Sequence, residues 1–279
     1  MNKIKALCEK DDYMKKQKQE EATNQILYEI TEKATEYYIS RLQSTNDEDV
    51  LDCLREHGLK EHTINKFRIG YTGKDRIGVV SYLEHLGYTD AHIIEAGLAD
   101  ITENGDIEDT FQNRIMIPIM DDDSKVIGFC GRMVDCDKGP IYLVSRETPI
   151  LNKNMSLFGL NFAKETDSNY EIICEGFMDV MLLYQDGYDN AVATVGTEFT
   201  SYNAEQIKKY CEKVVICYDT DDVGKNSAEN VKEILEQAGI EAKQVDLSPY
   251  RDPMEFILRG KSSIFGEAYE KNKDCLHRI

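Results

Sequence analysis

Acidic side chains stand at the ends of three short apolar runs in the second half of the chain. Glu175 ends the first of these runs, and Asp179 comes shortly after it. Asp219 and Asp221 end a later run, and Asp252 follows the last one. Hard oxygen ligands without His or Cys suit Mg²⁺ or Mn²⁺, which stay partly hydrated and bridge to phosphates. The spacing therefore predicts a divalent-metal site for phosphoryl or nucleotidyl transfer.

An acidic chain also accumulates carboxylates in its loops by chance, so the pattern has to be weighed against that alternative. Carboxylates crowded together raise the free energy of the site unless a cation or raised pKa values compensate. A single D-x-D would be weak support for a metal site. The ordered set E-G-x-x-D, Y-D-x-D-x-x-G and D-P favours a metal site over chance.

The apolar runs alternate with helical stretches, which is typical of an α/β fold with a parallel sheet covered on both faces. In such a sheet the carboxyl ends of the strands meet at one edge, where working groups gather. This edge brings the acidic residues together. The predicted strands are 171–175, 190–196, 213–219 and 241–247, and the predicted helices are 177–187, 202–211 and 223–239.

The first half of the chain predicts a small mixed α/β subdomain. Residues 1–21 form a polar extension, read as a frayed helix, and apolar residues at three- and four-residue steps predict an amphipathic helix over 21–42. Two apolar runs around the polar turn 121–125 predict a β-hairpin, with Pro118 at an edge or bulge. Residues 140–160 have little periodicity and are predicted to be irregular. The predicted boundaries are an extension 1–21, an N-terminal subdomain 22–166, a sheet domain 167–262 and a tail 263–279.

Composition excludes several classes of protein. The chain has 279 residues, with 52 acidic and 33 basic side chains and a formal charge of −19. It has no apolar stretch of membrane-spanning length and no signal-peptide core, so a cytoplasmic protein without membrane contact is expected. Its eight cysteines occur singly, which argues against a disulfide scaffold and a zinc site. The charge alone argues against a nucleic-acid partner.

Several motifs nevertheless resemble bacterial DnaG-type DNA primase. ICEGFMDV, ATVGT and VICYDTDDVG look like its Toprim domain, and the match extends upstream over about residues 22–262. The upstream match separates primases from other Toprim proteins such as topoisomerases and nucleases. The upstream motifs are FQNRIMIPI, GFCGR, YLVSRET, LFGL and LKEHTINKFRIG.

The resemblance implies a primase RNA-polymerase core that makes short RNA primers on a single-stranded DNA template from NTPs. Glu175 would be the catalytic acid/base or a metal ligand, and Asp219 and Asp221 the main ligands of Mg²⁺ or Mn²⁺. Asp179 and Asp252 would flank the metal or support its ligands. The family places basic residues near template and incoming nucleotide, and these positions are Arg114, Arg132 and Lys153.

The chain also departs from the family pattern. Cys and His ligands of the family's zinc-binding domain are missing, and the family's C-terminal helical and helicase-binding domains are expected to be missing or barely begun at Ile279. Ile141 and Val144 replace a Lys and an Asn, and Asp222 and Met254 replace a basic and an acidic residue. We therefore expect a separate zinc-finger protein or replicative helicase as partner, as in a minimal or mobile-element primase. Two alternatives remain open, a Toprim metal-dependent nuclease and a degenerate regulatory or assembly subunit.

Overall fold

The computed structural model describes residues 2–135, 139–168, 170–245, 247–251 and 253–260. The chain divides into two compact units. Unit 1 comprises Met1–Thr45, Gly70–Met116 and Lys125–Leu151, and unit 2 comprises Asn46–Ile69, Ile117–Ser124 and Asn152–Ile279. Each unit therefore contains several chain segments. The linear boundaries at 21/22, 166/167 and 262/263 stay predictions.

Helices and strands alternate in the part of the chain from Leu157 to Gly260. The helices are α1 (Asn2–Ser44), α2 (Glu48–Glu56), α3 (Glu61–Lys66), α4 (Gly78–His85), α5 (Asp90–Glu95), α6 (Leu160–Ala163), α7 (Phe177–Gln185), α8 (Ser201–Ile207), α9 (Asp222–Gln237) and α10 (Pro253–Gly260). The strands are β1 (Gly70–Tyr71), β2 (Ala99–Ile101), β3 (Ile107–Asp109), β4 (Arg114–Met120), β5 (Val126–Met133), β6 (Tyr142–Val144), β7 (Leu157–Phe158), β8 (Glu171–Cys174), β9 (Ala191–Thr194), β10 (Lys213–Cys217) and β11 (Glu241–Gln244). Within the described ranges, no helix is both long and apolar enough to span a lipid bilayer.

In unit 1, helix α1 packs against the short strand β1 and against β5. The predicted frayed extension and amphipathic helix form one continuous helix, Asn2–Ser44. The Thr31 hydroxyl donates a hydrogen bond to the Val126 carbonyl oxygen at 2.6 Å, which ties the helix to β5. Gly70 permits the close approach of β1, because a Cβ at this position would lie 2.5 Å from Cβ of Tyr38.

The predicted hairpin strands appear as β4 and β5, neighbours in a sheet of order β1-β4-β5-β6. Pro118 lies in β4, which is an interior strand of this sheet. However, β1 pairs only with Ile115 and Met116, so Pro118 lies beyond the last residue that β1 contacts. Because proline has no N–H to donate, it is tolerated where β4 has no partner on that side.

Unit 2 contains a five-stranded sheet of order β11-β10-β8-β9-β7. Strands β11, β10, β8 and β9 are parallel, as the alternation of apolar runs and helices predicted. The two-residue strand β7 pairs antiparallel with β9 at the sheet edge. Strand β7 lies within residues 140–160, for which the sequence predicts irregular structure. No sequence pattern indicates this strand, because two residues are too few to show periodicity.

Residues 46–69 belong to unit 2, although the sequence suggested that they form part of the N-terminal subdomain. Gln185 at the end of α7 accepts hydrogen bonds from the Lys60 N–H at 2.7 Å and from the Thr63 hydroxyl at 2.9 Å. Phe67 is fully buried, and its ring stacks on Phe158 with centroids 5.6 Å apart. Hydrogen bonding and ring packing thus attach α3 to this unit.

The first residue of β8, Glu171, is a buried carboxyl group. Its side chain is 2% exposed, and neither carboxyl oxygen has a hydrogen-bond partner among the described residues. Burial raises its pKa from 4.5 to about 8. The folded protein therefore keeps a proton on Glu171 at pH values where the unfolded chain has lost it.

Because the pKa of Glu171 is higher in the folded protein than in the unfolded chain, we expect the free energy of unfolding to fall as pH rises. Between about pH 4.5 and pH 8 the folded state binds one proton more than the unfolded state, so the free energy of unfolding decreases. Glu171→Gln should remove this decrease, which amounts to at most about 5 kcal/mol. Urea unfolding at pH 5, 6, 7 and 8 measures it, with exposed Glu212→Gln as the control. Equal pH dependence of Glu171→Gln and the unsubstituted protein would contradict the prediction.

Candidate active site

Strands β8 and β10 bring Glu175 and Asp219 to the same sheet edge. The two strands are parallel neighbours, and their last residues, Cys174 and Cys217, are paired. The chain then continues to Glu175 from one strand and to Asp219 from the other. The Asp219 N–H donates a hydrogen bond to the Glu175 carboxylate. The predicted convergence of these two residues is therefore realised by direct contact.

The Glu175 carboxyl group has a raised pKa. Burial is the main cause, and the negative charge of Asp221 raises the pKa further, whereas the hydrogen bond from the Asp219 N–H lowers it. Glu175 and Asp221 thus lie close enough for their charges to repel each other. This repulsion favours either a proton or a cation at this edge.

Asp221 is held by the beginning of helix α9. It is the N-cap residue of α9, and its Oδ1 accepts a hydrogen bond from the Gly224 N–H at 2.8 Å. Gly224 is required here, because a Cβ would lie 2.4 Å from the carbonyl oxygen of Asp219. The D-x-D-x-x-G spacing therefore encodes a tight turn that places both carboxylates before the helix.

Asp179 has a different environment from the other acidic residues. It is 8% exposed, and its Oδ2 accepts a hydrogen bond from the Gly176 N–H at 3.1 Å. Its Oδ1 accepts one from the Met254 N–H in the first turn of α10, at 3.2 Å. Asp179 thereby connects the beginnings of α7 and α10. This arrangement favours the supporting role among those predicted for Asp179.

A divalent metal would have to be held by few protein ligands. Among the described residues, no group of three or more His, Cys, Asp or Glu side chains is placed to hold a metal ion. Asp252 lies outside the described residues, and its predicted role stays a prediction. Mg²⁺ commonly takes one or two carboxylates and completes its shell with water and substrate phosphates. Asp219 and Asp221 are the two carboxylates that the sequence predicts as the main ligands of such a site, and their oxygen atoms suit Mg²⁺.

Arg114 and Arg132 lie in unit 1, where both make contacts with the main chain. Arg114 is 4% exposed, and its Nη1 donates to the carbonyl oxygens of Gly131 at 2.9 Å and Pro140 at 3.0 Å. Arg132 donates to the Met133 carbonyl oxygen, and its guanidinium lies 5.8 Å from the ring centroid of Tyr142. Template or nucleotide contacts of both residues stay predictions. The buried contacts of Arg114 give it a structural role within its own unit.

Lys153 lies in unit 2, on a loop beside the end of β9. The carbonyl oxygen of Lys153 would be 3.2 Å from a Cβ at Gly196, so the two backbones approach closely. The neighbouring Asn154 carbonyl oxygen accepts a hydrogen bond from the Thr200 hydroxyl at 2.9 Å. Lys153 is therefore held near a loop that lines the cleft described next. Its nucleotide contact stays a prediction.

A cleft of about 570 Å³ opens beside Glu175, between the loop after β9 and one face of α9. No sequence motif predicts it. Two residues of its lining, Asn226 and Asn230 on α9, are four residues apart. This spacing is the one signal in the sequence that they share a helix face. The lining residues are Glu175, Thr194, Gly196, Thr197, Glu198, Phe199, Tyr218, Asn226, Ser227, Asn230 and Val231.

Family models match most of the chain. Residues 37–164 match the DNA primase catalytic core, N-terminal domain, and residues 172–257 match a Toprim-like domain. A DNA primase of Clostridium acetobutylicum is 36% identical over 257 residues, covering 92% of this chain and 42% of that protein. A DNA primase of Listeria monocytogenes is 33% identical over 250 residues, covering 88% of this chain and 40% of that protein. The chain thus spans about two fifths of the length of these relatives.

Solved structures of primases are similar to this chain in fold. The Aquifex aeolicus primase structure with zinc binding and RNA polymerase domains has a TM-score of 0.83 at 29% identity, covering 89% of this chain and 61% of that one. A DnaG primase catalytic domain bound to single-stranded DNA has a TM-score of 0.81 at 29% identity, covering 90% and 80%. These matches confirm the predicted α/β fold class.

The two hydrogen bonds of Asp179 predict how much the carboxylate contributes to folding. Asp179→Ala should leave two N–H groups without their acceptor and lower the free energy of unfolding by about 1–3 kcal/mol. Asp179→Asn should lose less, because its amide oxygen still accepts a hydrogen bond. Urea unfolding measures both, with exposed Asp189→Ala as the control. A loss for Asp179→Ala no greater than that of the control would contradict the bridging role.

Proposed function

Because the chain belongs to the DnaG-type DNA primase family through its catalytic core, we propose that it synthesises short RNA primers on single-stranded DNA. The reaction is nucleotidyl transfer from NTPs. The observation that carries the proposal is the placement of Glu175, Asp219 and Asp221 at one edge of the sheet, which we call the carboxylate edge. There the Glu175 carboxylate accepts a hydrogen bond from the Asp219 N–H, and the charge of Asp221 raises the pKa of Glu175. This edge lies in a fold similar to a primase catalytic domain whose structure contains single-stranded DNA.

A primase core of this type uses a divalent metal, and we propose Mg²⁺, with Mn²⁺ as a substitute. When bound, the cation would stabilise the negative charge that develops on the transferring phosphate. Asp219 and Asp221 would hold it, with Glu175 as a third ligand or as the acid/base group. Asp252 is proposed as a flanking carboxylate.

The chain's own residues have distinct tasks in this proposal. The Asp219 N–H orients the Glu175 carboxylate, and the raised pKa of Glu175 makes it a better proton acceptor for the attacking 3′-hydroxyl group. The Gly224 N–H fixes Asp221 before α9. Arg114, Arg132 and Lys153 are proposed to contact template or nucleotide, with a guanidinium fork suited to phosphate and Lys153 as a point charge.

A separate partner is part of the proposal. The formal charge of −19 disfavours DNA binding, because affinity for the phosphate backbone comes largely from Lys and Arg that displace counterions. We propose that a zinc-finger protein or a replicative helicase supplies the template affinity. Primer synthesis with such a partner should exceed synthesis by the chain alone, most clearly at higher salt.

The carboxylate edge predicts which substitutions abolish activity. Asp219→Asn and Asp221→Asn should each reduce primer synthesis by about 100-fold or more, because each removes charge from the proposed metal site. Asp222→Asn is the matched control, since Asp222 is exposed and adjacent in sequence. The assay uses single-stranded DNA, NTPs and Mg²⁺ or Mn²⁺, with and without the partner, and gel analysis of labelled RNA.

Three results would contradict the proposal in different ways. Unchanged synthesis by the Asp219→Asn, Asp221→Asn double variant would remove the proposed mechanism. Metal-dependent DNA degradation without NTPs would instead indicate a Toprim nuclease. Calorimetry that detects neither Mg²⁺ nor NTP binding would indicate a regulatory or assembly subunit.

A further inference from the structure

The cleft beside Glu175 has the size and position of a small-molecule site. Its volume of about 570 Å³ lies within the range of about 300–1,000 Å³ typical of ligand pockets. It lies wholly within unit 2. Because Glu175 forms part of its wall, the cleft is continuous with the carboxylate edge. A molecule that reaches the carboxylates can therefore extend into the cleft.

The charge of the lining determines which part of a ligand fits inside. No Lys or Arg is among the lining residues, and Glu175 and Glu198 are acidic. Phosphate groups are disfavoured inside, since their charge would meet carboxylates and no cation. A neutral group with several hydrogen-bonding atoms is not subject to this repulsion. The cleft therefore suits the uncharged end of a nucleotide, while the phosphates stay at the carboxylate edge.

The α9 wall presents two amide side chains side by side. Asn226 and Asn230 are four residues apart, so they lie on one face of the helix. Among the described residues, neither amide makes a hydrogen bond to another part of the chain. Each amide offers a donor and an acceptor, which is the combination that pairs with a base edge.

The remaining walls supply aromatic and hydroxyl groups. Phe199 and Tyr218 are both 5% exposed, so they form a fixed apolar side of the cleft. Thr197 and Ser227 provide hydroxyl groups near the amides. Aromatic surface combined with amides and hydroxyls is suited to a nucleobase and its ribose, which have flat faces and polar edges.

We propose that the cleft binds the nucleoside of a ribonucleoside triphosphate whose phosphates lie at the carboxylate edge, with Asn226 and Asn230 hydrogen-bonded to the base. The inference rests on the proposed function for the phosphate position. It adds a specificity site on α9, which is separate from the acidic residues that the sequence motif identifies.

The absence of tryptophan from the chain allows a direct test. Thr197→Trp places a single fluorophore at the cleft, and exposed Tyr202→Trp places one on α8 outside the lining residues. ATP with Mg²⁺ should change the fluorescence of the Thr197→Trp protein only. Inorganic tripolyphosphate, which has phosphates but no nucleoside, should leave both signals unchanged.

The affinity measurement separates the amides from the carboxylates. Asn226→Ala combined with Asn230→Ala should raise the Kd for ATP about tenfold, because two hydrogen bonds are lost. Its Kd for tripolyphosphate should not change. Lys232→Ala combined with Glu236→Ala is the matched control, since it has the same four-residue spacing on α9, likewise leaves the net charge unchanged and lies outside the cleft lining. The control should bind ATP like the unsubstituted protein.

Different outcomes overturn different claims. If the unsubstituted protein binds ATP and the Asn226→Ala, Asn230→Ala variant binds it equally well, the inference is wrong and the proposed function stands. If ATP binds in the cleft but no primer is made even with the partner present, the proposed function fails and the inference stands. A fluorescence change with a short single-stranded DNA oligomer and none with ATP overturns the inference, as does the absence of ATP binding.

Discussion

Main-chain N–H groups organise the carboxylate edge. Glu175 accepts a hydrogen bond from the Asp219 N–H, and Asp221 accepts one from the Gly224 N–H. Asp179 accepts two, from Gly176 and Met254. The N–H groups of Gly176, Gly224 and Met254 lie at helix beginnings, where the helix leaves them without partners of its own. An N–H group orients a carboxylate but carries no full positive charge, so a cation can still be attracted to this edge.

Much of this arrangement was predictable from the sequence. The alternation of apolar runs and helices predicted the four parallel strands. The motifs around Glu175 and Asp219 predicted that these residues share one edge of the sheet. The same motifs predicted the family, and the comparisons confirm the family. The strand β7 and the hydrogen bond between Asp179 and Met254 could not be read in this way, because both depend on partners that are distant in sequence. The cleft was missed because its walls come from separate segments, and only the spacing of Asn226 and Asn230 hints at it.

The acidity of the chain has two physical origins. Part of it lies at the sheet edge, where parallel strand ends force carboxylates together and create the demand for a cation. The rest is spread over the surface, where it opposes contact with a DNA backbone. Arg114 does little to offset it, since its guanidinium is buried against main-chain carbonyl oxygens. Catalysis and template affinity would thus place opposite demands on one chain, which is the physical reason for the partner that we propose.

The attachment of residues 46–69 to the sheet unit changes how the chain could have been assembled in evolution. Phe67 stacks on Phe158, and Phe158 stacks in turn on Phe177 at the start of α7, with centroids 4.5 Å apart. An excised segment 167–262 would leave this aromatic column with only one of its three rings. Unit 2 is therefore built from segments that lie far apart in the sequence. A gene fusion or truncation that transfers residues 167–262 alone would therefore leave an apolar face of this segment exposed.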